Sequence, residues 1–132
     1  MPPQLTLGRL SVLLTALAYA GFGLAFTLAP GTLASYVEIG LPSTPAAVDF
    51  RAMYGGLELG VGIFLLYCAA DRARVRVGLV AQIATLAGLA GVRAMGIFTA
   101  GSDVGLNPTL LATELAGLAL GIVGLWAERP RA

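Results

Sequence analysis

The 132-residue chain is 58% hydrophobic and only 11% charged. A soluble domain is ordinarily about a quarter charged, so these residues cannot cover a water-facing surface. All the basic residues are arginine, histidine is missing and Cys68 stands alone, which excludes His-based haem, diiron and zinc sites, His-dependent triads, Schiff-base lysines, Walker loops and an internal disulfide. A net charge of +1 with scattered arginines offers no nucleic-acid surface, and the expected surroundings are a lipid bilayer, with no metal and no cofactor.

Four apolar runs, at about 10–28, 45–70, 77–98 and 108–126, come near the ~20 residues that cross a hydrocarbon core as a helix. Lipid satisfies no open backbone group, so the runs must be helical. The expected fold is all-α, a single integral membrane domain over residues 1–132 that forms a bundle of four transmembrane helices.

In the first run, Arg9 and Ala18-Tyr19-Ala20 resemble a signal-peptide pattern. The apolar stretch continues through "GFGLAFTLA", which favours an uncleaved helix. Pro30-Gly31 ends that run, and "TLASYVEIGL" in the long loop after it is a candidate short interfacial helix. Ser43 or Thr44 can cap the second helix with Pro45 at its first position, and Asn107-Pro108 repeats the cap-then-proline signal for the fourth. "DRARVR" links the second helix to the third.

Arginine placement sets the orientation. Arg9, the trio Arg72, Arg74 and Arg76, and the pair Arg129 and Arg131 fall on one side of a four-span chain, while Glu38, Asp49 and Asp103, with Arg51 at the edge, fall on the other. By the positive-inside rule both termini are cytoplasmic. Tyr36, Tyr67 and Trp126 suit the membrane boundaries.

The apolar runs also hold charge. At a rise of about 1.5 Å per residue, Glu58 lies about 12 Å, Glu114 about 9 Å and Arg93 about 7 Å below the outer surface, and Arg51 lies at its edge. Helical spacing groups Arg51, Gly55, Glu58 and Gly62 on one face, Glu114, Gly117 and Gly121 on another, and Gln82, Leu86 and Arg93 on a third. Gly55, Gly62, Gly117 and Gly121 would let helices approach closely. An unpaired charge mid-span costs about 2.5–3.5 kcal/mol, so mutual pairing is expected: Glu58 or Glu114 with Arg93, and Arg51 toward the headgroups or Asp49. The cluster would hold helices two, three and four together in the outer half of the bilayer, and Tyr54 is within reach of Arg51 and Glu58. Two uses stay open, a structural lock and a ligand or proton site. Gln82 is expected to hydrogen-bond between helices, and Cys68 to act as a small apolar filler.

At "DFRAMYGGLELGVGIFLLY" the chain resembles a bacterial family of short four-span integral membrane proteins of unknown function, which shares an Arg-Ala-x-Tyr-Gly-Gly stretch (here Arg51 to Gly56) at the head of helix two. More distantly it is similar to the DoxX-type four-helix membrane proteins. The resemblance implies a four-helix membrane fold and no established activity. The expected protein is a multi-pass, non-enzymatic component of a bacterial inner membrane that binds a lipophilic small molecule or serves as an accessory subunit of a larger membrane complex; a homo-oligomer also fits the glycine faces. One alternative is a small proton-coupled transporter using Glu58 or Glu114. Another is an enzyme acting on a membrane-dissolved substrate.

Overall fold

A computed structural model describes residues 5–129. It is all-α, with no strand among the described residues. The helices are α1 (Leu7–Leu28), α2 (Pro30–Tyr36), α3 (Thr44–Phe50), α4 (Leu57–Ala70), α5 (Val75–Ala100) and α6 (Asn107–Ala127). A π-helical turn, Arg51–Gly56, joins α3 to α4, and a 3₁₀ turn, Arg72–Arg74, leads into α5. Among the described residues, four stretches are long and apolar enough to cross a membrane: Leu7–Leu28, Thr44–Ala70, Arg72–Ala100 and Asn107–Ala127. Leu17, Phe22, Leu24, Ile63, Val92, Phe98, Ile122 and Val123 stand exposed along them, far more apolar surface than a soluble monomer leaves in contact with water.

The local chemistry accounts for the ends. Ser43 is extended and its hydroxyl accepts a hydrogen bond from the Ala46 amide at 3.3 Å, with proline in the first turn of α3, the arrangement that supplies a partner for an otherwise orphaned helix N–H. "TLASYVEIGL" is helical only in its first half, because α2 already begins at Pro30 and closes at Tyr36. There the Glu38 amide donates to the Ser35 carbonyl and the Ile39 amide to the Ala34 carbonyl, and Glu38 takes the left-handed φ of 59° that this helix ending normally gives to glycine. Gly101, at φ 88°, ends α5.

The chain forms two compact units. One consists of Ala16–Phe64. Its core is Phe26, Ala34 and Phe50, packed round by Leu33, Ile39 and Leu41. Here α1 and the second span touch through small residues: a Cβ added to Gly23 would lie 2.9 Å from the Gly55 carbonyl, and one added to Gly62 would lie 2.6 Å from the Ala20 amide. Gly55 leaves similar room for Thr27, whose hydroxyl donates back to the Gly23 carbonyl at 2.8 Å. Such backbone approach takes the place of the hydrophobic effect between helices in lipid.

The other unit joins the described residues up to Thr15 to those from Leu65 to Arg129. Val12, Leu65, Cys68, Val75, Leu79 and Gln82 are fully buried, and α5 and α6 run antiparallel as a hairpin. Cys68 acts as a small filler, its Cβ against the face of Gly78. At the hairpin's open end, a Cβ on Gly124 would lie 3.0 Å from the Leu79 side chain and 3.1 Å from Gly8.

Candidate functional site

The charged residues of the spans fall into both units. In the Ala16–Phe64 unit, the segment "RAMYGG" widens into a π turn, with the Leu57 amide donating to the Ala52 carbonyl five residues back. Uninterrupted α-helix would put Arg51 and Glu58 on one face. A π turn takes in one extra residue, which rotates the helix before it by about 100° relative to the helix after it. Arg51 is accordingly exposed while Glu58, beyond the turn, is half-buried. Arg51 forms no ion pair with Asp49, since the ion pairs among the described residues are Arg74–Asp71 and Arg93–Glu114.

Tyr54 enters an aromatic cluster. Its ring stacks on Phe50 with centroids 4.5 Å apart and tilts against Phe26 at 5.6 Å, and Phe26 meets Phe50 edge-on at 5.5 Å. The tyrosine is thus fixed by its ring, and no hydrogen bond joins its hydroxyl to Arg51 or Glu58. Gly55 and Gly62 pack closely on Thr27 and Ala20 of α1. Glu58 shares this contact through its backbone, which lies 3.0 Å from where a Cβ on Gly23 would stand. Its carboxylate takes part in no hydrogen bond or ion pair among the described residues.

In the other unit Arg93 and Glu114 meet at one level of the α5–α6 hairpin. The Arg93 Nε donates to both Glu114 oxygens at 2.9 and 3.0 Å, and Nη2 donates to Oε1 at 2.7 Å. Nη1 donates to the Asn107 Oδ1 at 2.7 Å. Their side chains are 24% and 11% exposed, and each lies about 10 Å along its helix from the connecting loop. A fork held at this many points is the strong form of a charge-assisted pair. Of the two partners the sequence offers Arg93, the guanidinium is taken by Glu114. Asn107 does not cap α6 as the Asn-Pro signal predicts: Leu106 holds the cap position, and the Asn107 side chain is committed to Arg93 and to the Val104 carbonyl, 2.9 Å away.

One layer deeper, Gln82 is fully buried and its Nε2 donates to Ser11 Oγ at 2.9 Å and to the Gly117 carbonyl at 2.8 Å. That amide ties α1, α5 and α6 together. Gly117 and Gly121 make room for it and its neighbours: a Cβ on Gly117 would lie 2.8 Å from Leu86, and one on Gly121 3.0 Å from Ile83 and 3.1 Å from Gln82. Sequence reasoning misses the contacts of Ser11, Asn107 and Gly23; a serine in an apolar run opposite a lone glutamine is the available signal for the first.

At the hairpin's other end Arg9 donates from Nε to the Ala69 carbonyl at 2.8 Å and Arg76 to the Glu128 carbonyl at 2.8 Å. Arg74 pairs with Asp71 and lies 4.0 Å from the Tyr67 ring centroid, and Arg129 lies 5.1 Å from that of Trp126. Arg131 lies outside the described residues.

Compared with known families, residues 7–127 match the profile described as "Domain of unknown function (DUF4345)". No curated protein and no solved structure matches the chain.

Proposed function

The chain belongs to the DUF4345 family, a domain of unknown function, and from that premise we propose a non-enzymatic role: a multi-pass protein of a bacterial inner membrane that binds a lipophilic small molecule bearing a hydrogen-bond donor, at Glu58. In this reading the four spans form a bundle of the DoxX-like kind, both termini are cytoplasmic, and the charged residues lie in the outer half of the bilayer. Arg93 and Glu114 are the structural lock, and Glu58 belongs to the ligand, with Arg51 and Tyr54 on the π turn that precedes it.

The observation that carries the reading is the contrast between the two glutamates. Glu114 has every oxygen engaged by Arg93. Glu58 is half-buried in an apolar helix without a polar partner among the described residues, next to a π turn. An unsatisfied ionisable group in a span is expensive, and π turns recur at functional sites. A donor on a lipophilic molecule supplies the missing partner, and Tyr54, exposed on the turn before Glu58, offers it an aromatic neighbour.

A second reading, an accessory subunit of a larger membrane complex, is favoured by α5, where Gly88, Gly91 and Gly96 have open space in front of them, as a helix packing against another chain requires. Proton-coupled transport would fall to Glu58 alone, because Glu114 is bound to Arg93. Purification in mild detergent, coupled to native mass spectrometry, separates these. The ligand reading expects a defined small molecule on the wild-type chain; a large stable assembly with no such adduct supports the subunit reading. Proton release on adding a lipophilic cation would point to transport.

A further inference from the structure

We propose that the arginine-bearing end of the unit containing α5 and α6 holds an anionic phospholipid in a groove beside Arg9. The groove, about 400 Å³ and open on one side, is lined by Leu5, Arg9, Leu13, Leu66, Ala69 and Ala70. It lies where α1 begins and α4 ends, a level that coincides with the boundary of both spans.

The guanidinium of Arg9 is oriented before any ligand arrives, because its Nε donates to the Ala69 carbonyl at 2.8 Å in the last turn of α4. Nη1 and Nη2 make no other hydrogen bond among the described residues, and they form the fork that suits a phosphodiester. Leu13 and Leu66 lie about one helical turn further into the spans than Arg9 and Ala70, so the groove is cationic near its mouth and apolar at depth. That polarity is the polarity of a phospholipid: phosphate at the mouth, acyl chain along the leucines.

The surrounding charge has the matching sign. This end carries Arg9, Arg72, Arg74, Arg76 and Arg129 against Asp71 and Glu128. Arg74 and Arg76 are occupied, by Asp71 and by the Glu128 carbonyl. Arg72, two positions past Ala70, is exposed and in no ion pair among the described residues, which leaves a second unpaired cation at this end. Basic residues at a membrane surface attract anionic lipid.

The test uses the full chain in mild detergent, with phosphatidylglycerol and phosphatidylcholine of identical acyl chains added in equal amounts and retention read by native mass spectrometry. The wild type is expected to retain phosphatidylglycerol about tenfold over phosphatidylcholine. R9Q and R72Q should each reduce that preference. Arg9 also supports the end of α4, so Leu66→Trp, which fills the groove and leaves the Arg9–Ala69 bond alone, provides an independent arm and should reduce retention of both lipids. Equal retention of the two lipids by the wild type, or unchanged phosphatidylglycerol retention in L66W, overturns the proposal. So does displacement of phosphatidylglycerol by an equal concentration of inorganic phosphate, which would reveal an anion site with no use for the acyl chain.

Discussion

Replacing Glu114 by glutamine removes the negative charge from the best-defined polar constellation in the spans while keeping its shape. Arg93 then retains Asn107 and a neutral amide in place of a carboxylate that accepts three hydrogen bonds from its Nε and Nη2. Breaking one side of a buried pair costs about 3–5 kcal/mol, and an arginine near a helix centre about 2.5–3.5 kcal/mol on insertion scales. The pair is about 10 Å from the helix ends by helical rise and Arg93 is 24% exposed. Some snorkelling relief is therefore open to it, and the expected loss is about 2–3 kcal/mol. Removing both charges at once, in R93M/E114L, leaves nothing uncompensated except Asn107 and should recover more than half of that loss. Titration with sodium dodecyl sulfate in mixed micelles, monitored by far-ultraviolet circular dichroism, reads both. An E114Q midpoint equal to the wild type, or a double variant as unstable as the sum of the two singles, would refute the argument that pairing is what makes these charges tolerable.

Other substitutions probe other contacts. Gly62→Val places a side chain 2.6 Å from the Ala20 amide and should destabilise by about 1–3 kcal/mol, whereas Gly60→Ala, with open space in front of it, should be neutral or slightly stabilising; the same titration compares them. Gln82→Leu leaves Ser11 and the Gly117 carbonyl without their partner and should cost about 1–2 kcal/mol in micelles. Glu38→Gly relieves a left-handed residue and should raise stability by about 1 kcal/mol, seen as a higher melting temperature. In a Cys68→Ser background, Ser102→Cys should react with a membrane-impermeant maleimide on intact cells and Ala73→Cys only after lysis; the reverse pattern would invert the proposed topology.

The spans are legible in the sequence because length and apolarity alone determine them in lipid, and the Ser43-Thr44-Pro45 start because a cap and a proline are local signals. Pairing of Arg93 is legible to within two partners, by charge balance and depth. The π turn is not. "RAMYGG" reads as ordinary helix with a 3.6-residue period, and one extra residue in a turn leaves no mark on hydropathy while moving Arg51 off the face of Glu58. Gly55 and Gly62 meet α1, where Gly23, Ala20 and Thr27 give them a small-residue surface. Asn107 misleads for a different reason: its local cap signal competes with a guanidinium contributed from α5, and a charged donor prevails over a backbone amide. The two glutamates look equivalent in the sequence, and only the arrangement around them separates a locked carboxylate from an unengaged one.

A ligand-binding role depends above all on the Glu58 carboxylate. Its most direct test purifies the wild type and E58Q side by side in the same mild detergent and compares, by native mass spectrometry and equilibrium exchange, how tightly each retains a lipophilic compound. Loss of a charge-assisted hydrogen bond, worth about 1.5–3 kcal/mol, should weaken binding about tenfold or more in E58Q with the unfolding midpoint little changed. Equal affinity in the two proteins would contradict the assignment of Glu58 to the ligand.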